Sequence, residues 1–190
     1  HTTILPFTRL ISSPMDYTPG IFNLMEYRYF APDNRKINLN HHIPSTISKE
    51  LALYVVIYAP VQMAADLPEN YEGHPAFQFI KDVPTDWEHS ICVNGEIGEY
   101  ITMARKDIAS DDWYLGSISN EKSRELRISL SFLDSDKKYN ATVYRDPESG
   151  GWKKRPEEVV IENRYVTSKT ELEIVIPKGG GQAIRFSPEG

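Results

Sequence analysis

Two aspartates occupy positions from which a side chain commonly binds a ligand. Asp16 lies in residues 14–20, where two prolines and a glycine mark a loop after an apolar stretch. Asp66 ends residues 61–66, an apolar run that the pattern predicts to be a short buried strand. Either carboxylate could accept hydrogen bonds from sugar hydroxyls, or could instead cap the turn that follows it. The residues leave both roles open.

Other reactive side chains form weaker patterns. His41 and His42 are adjacent, and adjacent residues do not converge on one metal ion, so the pair predicts no metal site. Cys92 is the only cysteine, which excludes an intramolecular disulfide, and we expect it to be a small core residue. Glycoside hydrolysis needs two carboxyl groups that flank the bond. No two carboxyl groups in this chain have a sequence pattern that indicates such a catalytic pair.

The C-terminal half carries the tryptophans and several glutamates. The three tryptophans could stack on sugars, although packing in a core or an interface is the commoner role: Trp87, Trp113 and Trp152. We expect four glutamates to be solvated charges: Glu96, Glu99, Glu157 and Glu158. The three glycines at residues 179–181 lack the strand–loop–helix context of a phosphate loop and predict a turn.

The composition excludes two classes of partner. The 190 residues carry a net charge of −6, and no basic cluster is present to bind phosphates, which argues against nucleic acid. The longest apolar run, at residues 51–61, is shorter than the roughly 20 residues of a membrane helix. With 40% hydrophobic residues, the chain can bury a sizeable core in one large or two small domains.

The clearest predicted element of the first half is a helix. Ser45 or Thr46 can cap it, and its apolar residues cover nearly every face, so we expect it to be buried. It must end near Pro60. Residues 3–13 fit a strand or a helix equally well.

The first half, residues 1–88, has the alternation of an α/β protein. After the predicted strand at residues 61–66 come a loop and a short helix at residues 75–81, while residues 21–43 form a long excursion. Such a segment holds at most two βα units, whereas a (β/α)8 barrel needs about 250 residues. By itself this half is therefore an incomplete barrel.

The second half, residues 89–190, reads as short alternating strands. Leu172, Ile174 and Ile176, for example, alternate with glutamates, as in a strand with one buried face. Seven such strands, separated by turn signals, predict an antiparallel β-sandwich. The fold class expected for the chain is thus α+β overall: the end of a (β/α)8 TIM barrel followed by an antiparallel sandwich.

Five blocks, in order along the chain, resemble glycoside hydrolase family 97. They are Leu-Pro-Phe-Thr-Arg at residues 5–9, Pro-Met-Asp-Tyr-Thr-Pro-Gly at 14–20, Leu-Ala-Leu-Tyr-Val-Val at 51–56, Asp-Val-Pro-Thr-Asp-Trp at 82–87 and Gly-Gly-Gly-Gln-Ala at 179–183. The resemblance implies a hydrolase of terminal α-glycosidic bonds, an α-glucosidase or α-galactosidase of glycan degradation. Ser12 and Ser13 depart from the pattern, where a glycine is expected, and leave the substrate open.

The resemblance also implies a layout. A catalytic barrel would be followed by a β domain that serves in oligomerisation or, alternatively, in carbohydrate binding, with residues 5–13 and 61–66 as barrel strands seven and eight. The catalytic carboxylates, and the glutamates that bind a calcium cofactor, would lie upstream, so no catalytic residue is expected in this chain. The enzyme would be periplasmic. We expect the rim of the sugar pocket at Met15, Asp16, Tyr17, Gln62 and Asp66.

Overall fold

The computed structural model describes residues 1–25 and 43–189, and most of their regular structure is antiparallel β-sheet. Six strands form one sheet in the order β1-β2-β3-β8-β5-β6, and two form a second sheet, β4-β7. Their bounds are β1 Trp87–Glu96, β2 Tyr100–Asp107, β3 Trp113–Ser119, β4 Arg124–Ser129, β5 Lys138–Arg145, β6 Val160–Thr167, β7 Glu171–Ile176 and β8 Gly181–Pro188. The predicted antiparallel sandwich is confirmed.

The two sheets bury a common core because their strands alternate between apolar and polar residues. On β7 the alternate residues Leu172, Ile174 and Ile176 are buried, while Glu171, Glu173 and Val175 on the other face are exposed. They pack with inward residues of the larger sheet, among them Leu115 and Phe186. Burial of such side chains contributes roughly 25 cal/mol per Å² of apolar surface.

The opposite face of the larger sheet carries the main helix. Thr46 caps helix α2, Ile47–Val56, by accepting a hydrogen bond from the Lys49 N–H, and all ten helical residues are buried, as predicted. The helix packs against β3 and β8. At Gly116 on β3 an added Cβ would lie 2.5 Å from the Ala52 carbonyl oxygen, so glycine is what permits this close approach.

The described part of the first half contains no strand before β1 begins at Trp87, so the barrel strands expected at residues 5–13 and 61–66 are wrong. Leu5–Phe7 is a 3-10 turn and Arg9–Ser12 is the short helix α1, because local backbone bonds such as Thr8 N–H to Leu5 O satisfy this segment. Residues 61–66 form no strand with the rest of residues 1–25 and 43–189, where their pairing is limited to an isolated parallel bridge between Gln62 and Tyr17.

Two further short helices complete the first half. Helix α3, Pro68–Tyr71, begins with a proline where a loop was expected, and helix α4, Phe77–Asp82, confirms the predicted short helix within two residues. Arg185 of β8 holds α4 in place, since its guanidinium bonds Asp82 Oδ2 and Asp112 Oδ2, each at 2.7 Å. The first half and the sandwich therefore share one packed body.

Strand β1 is the element that the pattern missed. It lies at the edge of the larger sheet with most of its residues exposed, and two register shifts interrupt its pairing with β2. An edge strand that is exposed over most of its length needs no regular apolar alternation, which removes the signal. For the same reason Cys92 is exposed on β1, and the expectation of a core cysteine is wrong.

Candidate functional site

Two extended segments lie side by side where the rim was predicted. Met15 N–H donates to the Tyr58 carbonyl at 3.1 Å, Tyr17 bridges Gln62 in parallel, and Ala65 N–H donates to the Pro19 carbonyl at 3.0 Å. The structure thus places residues 15–19 beside residues 58–65, in the arrangement of two neighbouring parallel strands. Both segments then continue, in the same direction, towards Gly20 and Asp66.

The predicted site residues take different environments on these segments. Asp16 is exposed, while Met15, Tyr17 and Gln62 are half-buried. Burial, helped by the nearby Glu50 charge, raises the pKa of Tyr17 to about 12, so its hydroxyl stays protonated at neutral pH. Gln62 donates to the Tyr54 carbonyl at 2.9 Å, but its buried Oε1 has no donor among the described residues.

The tyrosine hydroxyls beside these segments tie them to one another. Tyr54 O–H lies 3.1 Å from both the Pro19 and Met63 carbonyls, so it bridges the two segments. Tyr71 O–H donates to the Gly20 carbonyl at 2.7 Å and accepts from the Asp66 N–H at 2.8 Å. Gly20 has φ +95°, and an added Cβ would meet the Tyr54 hydroxyl at 2.5 Å, so both backbone and space require glycine.

Three carboxylates hold the backbone that follows, and we call them the carboxylate clamp: Glu50, Asp66 and Glu157. Each accepts hydrogen bonds from two successive N–H groups of residues 20–25. The three groups come from separate places in the chain: helix α2, the end of residues 61–66, and the connection between β5 and β6. The clamp thereby fixes a loop that has no strand or helix of its own.

Glu50 is the buried member of the clamp. Its Oε2 accepts from Gly20 N–H at 3.0 Å, its Oε1 accepts from the Ser45 hydroxyl at 2.5 Å, and Ile21 N–H also bonds it. Burial raises the pKa of its carboxyl, while these donors and the neighbouring Lys49 charge oppose the rise. Glu50 also lies in the first turn of α2, where a negative charge suits the helix dipole.

Asp66 is the most fully bonded member. Oδ2 accepts from Phe22 and Asn23 N–H at 2.8 and 2.7 Å, and Oδ1 accepts from Leu67 N–H and Asn70 Nδ2 at 2.8 and 2.6 Å. Partial burial acts to raise the pKa of Asp66, but these four donors outweigh it and the pKa is lowered. Because a carboxylate offers about four acceptor positions, Asp66 has little capacity left for a sugar hydroxyl.

Glu157 belongs to the β half, yet it holds the first half. Its Oε1 accepts from Leu24 and Met25 N–H at 2.7 and 2.8 Å. The expectation that Glu157 is a solvated charge is therefore wrong, because its partners lie 133 residues away and leave no local signal. Glu99 likewise pairs with Lys122 and Arg124, whereas Glu96 and Glu158 are exposed as expected.

The same connection also holds the beginning of α2. The Pro156 carbonyl accepts from Ile47 N–H at 2.9 Å, and Asp146 accepts from Gly181 N–H at 2.9 Å. Burial raises the pKa of Asp146 to about 6, although Gly181, two nearby hydroxyls and Lys49 act in the opposite direction. Lys49 is itself buried and donates to the Ser119 carbonyl at 3.1 Å, with its pKa lowered by burial.

The remaining candidates divide between the core and the surface. Trp113 is 4% exposed and packs on Phe132, so it offers no sugar platform, and Trp87 is half-buried against Tyr114. Trp152 is half-buried beside a groove. His41 and His42 lie outside the described residues. Within residues 1–25 and 43–189, no three His, Cys, Asp or Glu side chains form a metal-binding group.

A family model described as "Glycosyl-hydrolase 97 C-terminal, oligomerisation" matches residues 86–187, more than half of the chain. The chain belongs to glycoside hydrolase family 97. The match begins beside β1, and it covers the whole sandwich.

Individual family-97 relatives match the first half as well. A retaining alpha-galactosidase of Bacteroides thetaiotaomicron is 33% identical over 188 residues, 98% of this chain and 27% of that protein. A family-97 enzyme of Pseudoalteromonas sp. strain K8, solved in complex with acarbose, is 42% identical with a TM-score of 0.90, and the match covers 100% of this chain and 28% of that one. This chain thus spans about a quarter of the length of these relatives.

A beta-arabinopyranosidase structure shares the fold at greater distance. Its TM-score is 0.75 at 23% identity, over 97% of this chain and 27% of that one. In the described part of the family-97 chain, no helix is long and apolar enough to cross a membrane.

Proposed function

We propose that this chain is the C-terminal segment of a glycosidase that hydrolyses terminal α-glycosidic bonds of α-glucosides or α-galactosides. The observation that carries the proposal is the 33% identity, over 98% of the chain, to a protein named as a retaining alpha-galactosidase. The catalytic carboxylates belong to the part of the enzyme that the chain does not include. A retaining or an inverting mechanism is compatible with the residues present.

In this proposal residues 1–88 belong to the end of the catalytic barrel and supply part of its sugar pocket, with residues 15–19 and 58–65 in place of the strands first expected at residues 5–13 and 61–66. The parallel bridge between Tyr17 and Gln62 supports the assignment, because barrel strands run parallel and carry binding residues at their carboxyl ends. Val61 and Met63, which flank Gln62, are 67% and 51% exposed. Exposed apolar side chains of this size are suited to a contact with the remainder of the barrel.

We assign two roles to the five rim residues. Met15, Asp16, Tyr17 and Gln62 line the rim, with the exposed Asp16 as the carboxylate available to a sugar hydroxyl. Asp66 acts through the loop: its four donors include Phe22 and Asn23 N–H, so it positions residues 20–25 beside the rim. Direct contact between Asp66 and the substrate stays a prediction.

Two further expectations belong to the whole enzyme. We propose, on the family resemblance alone, that its calcium ion is bound by residues outside this chain. We also propose a periplasmic location, which rests on the family resemblance alone.

Activity assays test the proposal directly. The 190-residue chain should show no turnover of aryl α-glucosides or aryl α-galactosides, whereas the full-length protein should hydrolyse at least one of them. Turnover by the isolated chain would contradict the placement of the catalytic groups. In the full-length protein, Asp16→Asn should raise KM severalfold, with Glu96→Gln on the exposed part of β1 as a control that changes nothing.

A second function is favoured by the family description and by the sheet edges. We propose that the β domain joins two copies of the enzyme through β6, which ends the larger sheet and pairs with β5 without any register shift. The other edge, β1, has two register shifts, which blunt strand pairing. Tyr165 on β6 is 64% exposed and would lie within such an interface.

Light scattering decides this second proposal. The chain should be a dimer or larger at micromolar concentration, and Tyr165→Lys should shift it towards the monomer because edge lysines oppose pairing. Ile91→Lys, on the bulged edge β1, is the matched control and should leave the mass unchanged. A monomeric wild-type chain at high concentration would rule the proposal out.

A further inference from the structure

The two paired segments of the proposed rim have a packed face and an open face. On the packed face, Met15 and Tyr17 contact the buried core around helix α2, and Gln62 donates to the Tyr54 carbonyl of that helix at 2.9 Å. These half-buried side chains line the rim from the α2 side. The opposite face of the same segments is therefore the one that is free to meet a ligand.

The open face combines polar and apolar side chains. Exposure alternates along each segment, with Asp16 and Thr18 exposed on the first and Val61 and Met63 on the second. Such alternation is the period of an extended chain, so these four residues share one face. The parallel bridge between the segments places Thr18 beside Met63. A few directed polar groups next to apolar surface are what a sugar ring requires of its binding site.

Thr18 is the open-face residue of the first segment that lies nearest to its carboxyl end. Two residues later the chain turns at Gly20, where φ is +95°. Two residues of extended chain span roughly 7 Å, so Thr18 lies about that much closer to the end than Asp16 does. Barrel enzymes bind their substrates at the carboxyl ends of the strands. The hydroxyl of Thr18 is therefore better placed than the Asp16 carboxylate to reach into the expected pocket.

The backbone beside Thr18 is anchored, while its hydroxyl is unused. The Pro19 carbonyl accepts from Tyr54 O–H at 3.1 Å, and Gly20 N–H donates to Glu50 Oε2 at 3.0 Å. In the described part of the chain, no hydrogen bond engages the exposed Thr18 hydroxyl. A hydroxyl can both donate and accept, as the hydroxyls of a sugar can. Because the anchored backbone already holds it in place, Thr18 loses little entropy on binding.

We propose that Thr18 is a further sugar-binding residue, whose hydroxyl bonds one hydroxyl of the terminal sugar while the apolar side chain of Met63 lies beside it. The inference rests on the proposed function, because the rest of the pocket belongs to the part of the enzyme that the chain does not include. A site that bonds one particular hydroxyl discriminates against sugars that lack it. Thr18 is thus a residue that determines specificity.

The test uses the full-length enzyme, the aryl α-glycoside that it hydrolyses, and analogues of that substrate that each lack one sugar hydroxyl. Thr18→Val keeps the shape of the side chain and removes its hydroxyl, so kcat/KM for the parent substrate should fall about tenfold. For one analogue, the penalty in kcat/KM relative to the parent substrate should shrink by the same factor, while the penalties for the other analogues stay as in the wild type. Thr18→Ser keeps the hydroxyl and should retain all of the penalties.

Thr85→Val is the matched control, because Thr85 is an exposed threonine in the connection between α4 and β1, and it should keep wild-type values on every substrate. A partly unfolded variant loses activity on all substrates alike, so a change confined to one hydroxyl reports contact and not folding. Thr18→Ala, which also lacks the hydroxyl, should repeat the result of Thr18→Val. Unchanged penalties in both variants of an active enzyme would overturn the role of Thr18 alone. A wild-type enzyme that hydrolyses no aryl α-glycoside would overturn the proposed function as well.

Discussion

The loop at residues 20–25 and the sandwich solve the same problem of backbone hydrogen bonding in different ways. In the sandwich, strand pairs satisfy the backbone, as in the unbroken register between β3 and β8. In the loop, the carboxylate clamp accepts the N–H groups two at a time. The sandwich therefore spreads its backbone bonding over many interchangeable residues, whereas the loop depends on three side chains.

The loop and the sandwich are joined by two structural links. Helix α2 lies between them, with its buried face on β3 and its Glu50 on the loop. Glu157 reaches the loop from the β half. Changes that displace α2 should consequently damage both regions, and changes at a single clamp residue should damage only the loop.

The largest effect is expected from Gly116→Ala. The new Cβ would meet the Ala52 carbonyl oxygen at 2.5 Å and push α2 off the sheet, at a cost of about 3 kcal/mol in the free energy of unfolding. Gly98→Ala is the matched control: its surroundings are open, and its φ of +80° alone should cost about 1 kcal/mol. Urea denaturation measures both. Equal losses would show that α2 is not seated as closely as described.

Glu50→Ala should have the next largest effect. It removes a buried acceptor and leaves Gly20 N–H and the Ser45 hydroxyl without a partner, which should cost about 2 kcal/mol. Hydrogen exchange should accelerate at residues 20–21 much more than at the β3–β8 pairs. Uniform acceleration over both regions would break the distinction between clamp and sandwich.

Asp146 and Asp66 should respond to pH with opposite signs. The folded pKa of Asp146, about 6, lies above its unfolded value, so its stabilisation is full below about pH 4 and is lost as pH rises through 6. The loss is on the order of 1.4 kcal/mol for each unit by which the pKa is raised. Asp146→Asn should remove that slope from a series of thermal unfolding curves between pH 4 and 7.

For Asp66 the folded pKa is lowered, so its contribution is present above the unfolded pKa of about 3.9 and is lost as pH falls through the folded pKa. Asp66→Asn should therefore alter the pH dependence of unfolding only under acidic conditions. The loss of an acceptor should in addition weaken the loop at every pH. Identical pH profiles for the two variants would contradict the assigned shifts.

Glu157→Gln should cost about 1 kcal/mol, because one neutral oxygen can still accept from Leu24 and Met25 N–H but binds them less strongly. Hydrogen exchange at residues 24–25, which should become faster in this variant, is a more sensitive measurement than the free energy of unfolding. Glu158→Gln, the exposed neighbour, is the control. If the two variants exchange alike, Glu157 does not hold the loop.

The smallest effect should come from Arg127→Ala on the outer face of the smaller sheet. Its ion pair with Glu173 spans 3.3 Å, but the side chains are 79% and 76% exposed, so water screens the attraction. The loss should stay below about 0.5 kcal/mol in urea denaturation. A larger loss would show that single side chains matter in the sandwich as well.

Local patterns predicted the sandwich and the main helix because they report short-range rules. Alternation on β7 and the cap at Thr46 are visible within a few residues of the chain, and both were confirmed. The edge strand β1 escaped because an exposed strand needs no alternation. The barrel strands were wrongly expected because an apolar run determines neither strand pairing nor burial: Val61 and Met63 belong to such a run and are exposed.

By itself, the sequence determined the antiparallel strands of the second half, the buried helix and the membership of family 97 that its motifs indicated. Only the tertiary structure decided which carboxylates hold the loop. Glu157 was expected to be a solvated charge and Glu50 was not among the predicted site residues, since a hydrogen bond across 133 or 30 positions leaves no periodic trace in the chain. It also decided which tryptophan faces a groove, because Trp113 and Trp152 differ in what packs over them and not in their neighbours along the chain.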